Sequence, residues 1–182
     1  QKFARFCAKG GSGLLNRSEI KWCTNYIMAC LALPNAQRPG AIQNMTMQEA
    51  QSGSWKMEHH TKQKVYVISV LEHKTTDEGA AEITMTPDTH HMLEAYISSV
   101  RPCITPAQEF SHLVFLTNSG TKVKNISGPK RLYNILEEAG VSAKSLTKFR
   151  IAVSGECAEM LPDVLMNKVA QHQSHSRATS KA

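Results

Sequence analysis

Four side chains, in a fixed order along the chain, could together act on a phosphate group. Arg38 lies in "NAQRPGAIQNMT", Lys74 in "KVYVISVLEHKTT", Arg150 in "SLTKFRIAVS" and His175 in "VAQHQSHSRATSKA". A guanidinium can bond two phosphate oxygens at once, and two guanidiniums suit the extra negative charge of a phosphorus centre under attack. A lysine can donate a proton to a leaving oxygen, and a histidine can accept a proton or bind a phosphate oxygen. These residue types indicate phosphoryl transfer without a metal ion or cofactor.

The residues around Arg38 predict a break between two helices. Ser18 is a good N-cap for a helix whose apolar positions recur as far as Leu31, and Pro34 is expected to end that helix. Pro39 suits the first turn of a second helix. Arg38 is therefore predicted beside a helix N-terminus, which itself attracts phosphate.

Lys74 belongs to the clearest strand pattern in the sequence. Residues 64–71 are mostly β-branched and aromatic, "TTDEG" predicts a turn, and "AAEITMT" predicts the returning strand. Lys74 falls at the end of the first strand of this hairpin. Thr147 and Arg150 lie in a helical pattern beside apolar residues, where a charged side chain is costly unless it faces a partner or a ligand.

The remaining patterns complete a mostly helical chain. Thr46 is predicted to cap a short helix, residues 87–100 and 127–138 to form longer helices, and "HLVFLT" to form a short strand. The predicted fold class is α+β, mostly α-helical, with a small antiparallel β-sheet. Residues 1–16, rich in Gly and Ser, are expected to be a linker or a remnant of an upstream region. Residues 17–182 are expected to form one domain.

Composition narrows the class of protein. The net charge of +6 suits a polyanionic partner, because lysine and arginine release counterions from DNA. The five cysteines are odd in number and widely spaced, which favours free thiols in a reducing compartment. No apolar run approaches the ~20 residues of a membrane span. No residue spacing typical of a zinc site is present, and no metal is expected.

The order of these residues and their local contexts resemble the tyrosine recombinases, the phage-integrase superfamily. The matching segments are the arginine in "QRPGAIQNMT", the hairpin lysine in "HKT", the arginine in "LTKFR" and the histidine in "SHSRAT". The amino-acid sequences of these segments are most similar to those of eukaryotic recombinases of the Crypton type. The resemblance runs from about residue 18 to the end and implies the catalytic domain of a DNA breaking and rejoining enzyme.

The resemblance implies a mechanism and partners. A tyrosine would attack the scissile phosphate of double-stranded DNA and form a 3′-phosphotyrosyl link, which a 5′ hydroxyl would later attack. Arg38 and Arg150 would bind the phosphate, Lys74 would protonate the leaving oxygen, and His175 would hydrogen-bond the phosphate. Copies of the protein would assemble on paired DNA sites in the nucleus, without a membrane or a cofactor.

The sequence departs from the family pattern at three places. Thr147 stands where the family usually has a histidine, and Ala41 stands where an acidic residue often follows the first arginine. Threonine cannot act as a base near neutral pH, so Thr147 is expected to make at most a weak contact with phosphate. The family's tyrosine follows the late histidine by about two helical turns. We expect it soon after Ala182, so the chain as given is predicted to be inactive in cis.

Three alternatives remain open at the level of sequence. The chain could be a catalytically inactive, DNA-binding descendant of a recombinase, which Thr147 and Ala41 favour. It could be a relative of the type IB topoisomerases, which share the arginine pair. It could also be a helical protein-interaction module whose arginines are ordinary surface charges. Taken singly, each candidate residue is commonly a solvated side chain, and only the joint order favours the recombinase.

Overall fold

The computed structural model describes residues 1–35, 39–58, 62–72, 79–124, 135, 137–138 and 156. Its helices are α1 (Lys2–Gly11), α2 (Arg17–Asn35), α3 (Pro39–Asn44), α4 (Met47–Ser52) and α5 (Pro87–Ala95). Its strands, β1 (Ser54–Met57), β2 (Lys64–Val70) and β3 (Ala81–Met85), form one antiparallel sheet in the order β1–β2–β3. The predicted mostly helical α+β fold with a small antiparallel sheet is confirmed.

Helix α1 lies within residues 1–16, where a linker was expected. The rings of Phe3 and Phe6 are buried, with centroids 5.3 Å from Tyr26 and 5.5 Å from Trp22 respectively. These contacts add α1 to the apolar core. The Gly and Ser content concealed the periodic apolar residues in "KFARFCAKGG". The domain boundary at residue 16 stays a prediction.

Helix α2 is longer at both ends than the sequence suggested. The side-chain oxygen of Asn16 accepts hydrogen bonds from the backbone N–H groups of Ser18 and Glu19, both at 3.0 Å. Asn16 is therefore the capping side chain, two positions before the expected Ser18. The helix passes Pro34 by one residue and ends at Asn35. Pro34 lies in the last turn of the described helix and has no backbone N–H to donate to the carbonyl oxygen of the preceding turn.

The sheet follows the predicted hairpin and adds one strand. Strands β2 and β3 pair with Val67 opposite Thr84 and Ile68 opposite Ile83, as the alternating pattern predicts. Strand β1 pairs with β2 through Ser54 opposite Val67. All four β1 side chains are exposed, so their sequence lacks the alternating apolar signal by which a strand is recognised.

The apolar core lies between this sheet and helices α2, α3 and α5. Fully buried side chains come from each of these elements: Ile27, Leu31, Ile42, Ile68, Ile83 and Leu93. Ile42 of α3 and Met45, which follows it, are both fully buried. The predicted strand "HLVFLT" is replaced by isolated bridges, Thr46 to Leu113 and Leu116 to Lys122. This segment crosses the core without joining the sheet.

A buried arginine fixes this crossing segment. The guanidinium of Arg101 donates to the backbone oxygen of Leu113 at 3.2 and 3.1 Å and to that of Ser111 at 3.2 Å. Burial lowers the pKa of Arg101, which follows from the cost of desolvating its charge. The carbonyl oxygens offset that cost in part. Arg101 is thus a structural cation that positions the segment after α5.

Helix α5 continues directly into a π-helical turn, Tyr96–Val100. Thr86 caps α5 by accepting a hydrogen bond from the N–H of Thr89 at 3.3 Å. Gly10 of α1 lies against this π-helical turn: a Cβ atom on Gly10 would lie 2.4 Å from the backbone oxygen of Ser99. Only a residue without a side chain permits this approach.

We expect Gly10→Ala to lower the free energy of unfolding by about 1–3 kcal/mol, because the added methyl group meets a packed backbone. Gly11 is a matched control, since a Cβ there meets nothing within 4 Å. Gly11→Ala should be neutral or stabilising by up to ~1 kcal/mol, because alanine favours helix over glycine. Urea denaturation of the two variants measures both effects, and equal destabilisation would contradict the close packing of α1.

The described ranges also bear on membranes, metals and thiols. No helix in those ranges has the length and apolar character to cross a bilayer. The same ranges contain no cluster of three or more His, Cys, Asp or Glu side chains suited to a metal ion. The four cysteines that the structure describes, Cys7, Cys23, Cys30 and Cys103, are free thiols.

Candidate functional site

The five site residues predicted from the sequence lie outside the described residues: Arg38, Lys74, Thr147, Arg150 and His175. The distances among their side chains therefore stay a prediction. The structure does describe two junctions that flank the first two of them. One is the end of α2 and the start of α3, on either side of Arg38, and the other is the turn end of the β2–β3 hairpin, before and after Lys74 in the sequence.

Asn35 fixes the first junction to the sheet. Its Nδ2 atom donates to the backbone oxygen of Thr84 at 2.8 Å, and its Oδ1 atom accepts from the N–H of Thr84 at 2.7 Å. The same Nδ2 donates to the backbone oxygen of Leu31 at 2.8 Å. A carboxamide offers the donor and acceptor of a peptide group, so Asn35 bonds to β3 as a neighbouring strand would.

Asn44 connects α3 to the second junction. Its Nδ2 atom donates to the backbone oxygen of Glu72 at 2.8 Å, two residues after the end of β2. The Glu72 carboxylate lies 3.6 Å from Lys122 Nζ, but both side chains are partly exposed and this pair contributes little. Of these two contacts, the hydrogen bond from Asn44 therefore does more than the ion pair to hold the residues after β2 in place.

Glu49 provides a second link to the same place. Its Oε2 atom accepts from the backbone N–H and the hydroxyl of Thr46, both at 2.8 Å, which confirms Thr46 as the cap of α4. Its Oε1 atom accepts from the N–H of Leu71 at 2.9 Å. One carboxylate thus joins the start of α4 to the end of β2.

These contacts bring the two junctions to the same β-hairpin. Asn35 binds β3, and Asn44 and Glu49 bind the residues that follow β2. Helix α3 connects them and has six residues, a length of about 9 Å. The two sets of contacts lie at different points of the hairpin, since Asn35 bonds to Thr84, which pairs with Val67, and the other two bond to Leu71 and Glu72 at the turn end. Sequence reasoning missed the amide contacts, because their partners are far apart in the chain.

The departure at Ala41 has a structural counterpart. Ala41 is fully buried, as are its neighbours Ile42 and Met45. An acidic side chain at this position would require a buried hydrogen-bond partner to offset its desolvation. The methyl group of alanine fits the apolar surroundings without one.

Three of the four tyrosines are poorly suited to attack a phosphate. Tyr96 is fully buried within 3.1 Å of Thr24 Oγ1, and burial raises its pKa to about 12. Burial also raises the pKa of Tyr66 and of Tyr26. A nucleophilic phenol has to reach its substrate and lose its proton. These three tyrosines belong to or border the core, and Tyr133 lies outside the described residues.

Two solved structures resemble this chain over nearly its whole length. A crystal structure of the XerH site-specific recombinase bound to difH substrate, a pre-cleavage complex, matches with a TM-score of 0.64 at 14% sequence identity. A post-cleavage complex of XerH with palindromic difH substrate matches with a TM-score of 0.62 at 12% identity. Each match covers 99% of this chain and 46% of the recombinase, so the chain spans about half the length of these relatives.

The comparisons at the level of sequence found no relative. No protein-family model matches the chain, and no curated protein matches it. The structural likeness therefore rests on the path of the backbone, which agrees with the family resemblance of the short sequence segments. At this identity the likeness establishes the fold alone. The chain shares the fold of the part of these site-specific recombinases that it matches.

Proposed function

We propose that this chain is the catalytic domain of an enzyme that breaks and rejoins DNA strands. The observation that carries the proposal is the likeness in fold to the two XerH recombinase complexes over 99% of the chain. The order of Arg38, Lys74, Arg150 and His175 supports it, because these are the residue types that phosphoryl transfer requires. The end of α2, before Arg38, and the end of α3, after Arg38, are also hydrogen-bonded to the hairpin whose strands flank Lys74 in the sequence.

In the proposed mechanism, Arg38 and Arg150 bind the non-bridging oxygens of the scissile phosphate. A tyrosine oxygen attacks phosphorus, the bond to the 5′ oxygen breaks, and Lys74 gives that oxygen a proton. The 5′ hydroxyl of another strand then attacks the phosphotyrosyl link and releases the tyrosine. One ester bond replaces another at each step, so no external energy source is needed. His175 hydrogen-bonds the phosphate, and Thr147 adds a weak contact.

The proposal extends to partners and setting. Double-stranded DNA is the substrate, and copies of the protein assemble on paired sites. The similarity of "QRPGAI", "LTKFR" and "SHS" to Crypton-type recombinases supports a role in a eukaryotic mobile element, acting in the nucleus. The net charge of +6 supports binding to a polyanion.

We expect the chain to bind duplex DNA with an affinity that falls steeply as salt rises. Arg38→Ala and Arg150→Ala should each weaken binding about tenfold, because each removes a charged hydrogen bond to phosphate. Each should also reduce the slope of log K against log salt by about 1. Fluorescence anisotropy with a labelled duplex, over a salt series, measures both quantities.

Two variants serve as controls for this experiment. Arg38→Lys keeps the charge but loses the two-pronged contact, so it should retain the salt slope while binding less tightly. Arg5→Ala removes an exposed charge on α1, away from both junctions, and should leave binding unchanged. The protein-interaction alternative gains support if no duplex binds, or if Arg5→Ala is as damaging as Arg38→Ala.

A second candidate function is DNA binding without cleavage. Thr147, in place of the usual histidine, and the buried Ala41 favour it. The two candidates differ in one product, a covalent protein–DNA link that survives denaturation. A chain that carries a tyrosine after His175 should form this link on a nicked duplex if the domain is catalytic, whereas a binding descendant should form none.

A further inference from the structure

A polar cavity lies beside the first half of α2, at the opposite end of that helix from Asn35. Its volume is about 400 Å³, and its described walls are one face of α2 and the segment 116–119. Asn25, the lining residue of α2 nearest to Asn35, precedes it by ten residues, about 15 Å along the helix. The described lining residues are Arg17, Lys21, Thr24, Asn25, Leu116, Thr117, Asn118 and Ser119.

The α2 wall is charged at its mouth and neutral at its floor. Arg17 and Lys21 are exposed, whereas Thr24 and Asn25 are only 2% and 8% exposed. These four residues fall on one face of the helix, since their spacing is that of successive turns. A ligand that enters would therefore meet two cations first and the side-chain amide last.

The opposite wall supplies hydroxyl groups and closes one end. Thr117 Oγ1 lies 2.9 Å from Ser119 Oγ, and either oxygen can be the donor. Asn118 Nδ2 donates to the backbone oxygen of Arg17 at 2.6 Å, which connects this turn to the start of α2. The cavity is thus a defined space between two connected elements.

The floor contains a buried acceptor without a donor. Asn25 Oδ1 is buried and has no hydrogen-bond partner within the described part of the chain. Its neighbour Thr24 is satisfied, because its hydroxyl donates to the backbone oxygen of Ile20 at 2.9 Å and lies 3.1 Å from Tyr96 Oη. A buried carbonyl oxygen is unfavourable unless a donor reaches it. Because Asn25 lines the cavity, a molecule bound there can supply this donor.

The two cations also lack compensation. Neither Arg17 nor Lys21 forms an ion pair with an acidic residue in the described ranges. Positive charge at a helix N-terminus is unfavourable, because the helix dipole is itself positive there. The nearby Glu19 carboxylate does not offset this charge, since it binds Lys9 at 2.7 Å and the N–H of Asn16 at 2.9 Å. An anion at the mouth of the cavity would be stabilised.

We propose that this cavity binds a small hydroxylated phosphomonoester, of the size and chemistry of a sugar phosphate. The phosphate binds Arg17 and Lys21 at the mouth, and a hydroxyl group donates to Asn25 Oδ1 at the floor. A phosphodiester group by itself has no hydrogen to donate to the buried acceptor, whereas a sugar phosphate carries hydroxyl donors close to its phosphate. The inference is independent of the proposed DNA function.

Calorimetric titration of the whole chain with three probes tests the proposal. Ribose 5-phosphate has both groups, sulfate has the charge without a donor, and ribose has donors without a charge. We expect ribose 5-phosphate to bind more tightly than either of the others.

Lys21→Gln should weaken the binding of ribose 5-phosphate about tenfold, because it removes a charged hydrogen bond. Asn25→Ala should weaken it about fivefold, because it removes a neutral one.

The melting temperature of the Asn25→Ala variant, with and without ribose 5-phosphate, distinguishes a binding role of Asn25 from a purely structural one. Asn25→Ala removes the unpartnered oxygen, so the free protein should melt at the same or a higher temperature while ribose 5-phosphate stabilises it less. Sulfate binding should not change in this variant. Lys56→Gln, an exposed position on β1, should leave all titrations unchanged.

Three results would overturn the proposal. The first is no saturable binding of ribose 5-phosphate by the unmodified chain. The second is sulfate binding as tight as ribose 5-phosphate, which would leave only an anion site. The third is competition between duplex DNA and ribose 5-phosphate that Lys21→Gln abolishes, which would assign the cavity to DNA.

Discussion

Replacing Gly120 with alanine is expected to lower the free energy of unfolding by about 2–5 kcal/mol. Gly120 has a φ of +74°, a left-handed conformation that alanine adopts at a cost. A Cβ there would also lie 2.0 Å from the backbone oxygen of Thr105 and 2.9 Å from Pro106 Cα. These are backbone atoms and cannot rotate away. The Gly120 oxygen accepts from the N–H of Ala107 at 3.0 Å, so a shift would break that bond.

Gly13 separates the two causes of this effect. Its φ is +69°, close to that of Gly120, but a Cβ there meets nothing within 4 Å. Gly13→Ala should therefore cost only the conformational part, about 1–2 kcal/mol. Chemical denaturation of both variants gives the difference. If Gly13→Ala and Gly120→Ala lose equal stability, the close approach of Gly120 to Thr105 is wrong.

The second large effect is expected at Asn35. Asn35→Ala should destabilise the domain by about 2–4 kcal/mol, because it leaves the N–H and oxygen of Thr84 and the oxygen of Leu31 without this partner. The variant should also weaken DNA binding, because Asn35 fixes the backbone just before Arg38. Thermal denaturation and anisotropy with a duplex measure the two losses separately.

Asn35→Asp tests the same hydrogen bonds through pH. One carboxylate oxygen can still accept from Thr84, but the other faces the backbone oxygens of Thr84 and Leu31, which raises the pKa of the introduced carboxyl in the folded state. The stabilising effect of the protonated carboxyl is therefore fully present below the pKa that this group has in the unfolded chain. It is lost as pH rises through the higher pKa that the group has in the folded protein. Relative to the unmodified protein, Asn35→Asp should recover stability as pH falls, whereas Asn35→Ala should not.

Local patterns predicted those parts of the fold whose causes are local. The cap at Thr46 and its return partner Glu49 are three residues apart, so the sequence contains the whole device. The β2–β3 hairpin is likewise predicted by two strand-like runs of residues separated by turn-forming residues. Strand β1 and helix α1 were missed, because all side chains of β1 are exposed and α1 ends in a Gly- and Ser-rich stretch.

The site was predictable only as an order of residue types. The contacts that position it join Asn35 to Thr84, Asn44 to Glu72 and Glu49 to Leu71, pairs that lie 22 to 49 residues apart. The spacing of apolar residues in the sequence does not predict such pairs, since each pair depends on how the helices pack on the sheet. The cavity beside α2 was invisible for the same reason, because Asn25 is an ordinary helix residue until the 116–119 segment packs against it.

The amide of Asn35 also bears on how the protein avoids aggregation. A three-stranded sheet has two edges, and an exposed edge is a template for strands of other chains. At Thr84 the β3 edge is occupied by Asn35, so an incoming strand would have to displace a buried side chain. At the other edge, β1 carries Lys56 between Trp55 and Met57, and a lysine discourages pairing there. The two edges are thus protected by different means, a hydrogen-bonded amide on one side and a charge on the other.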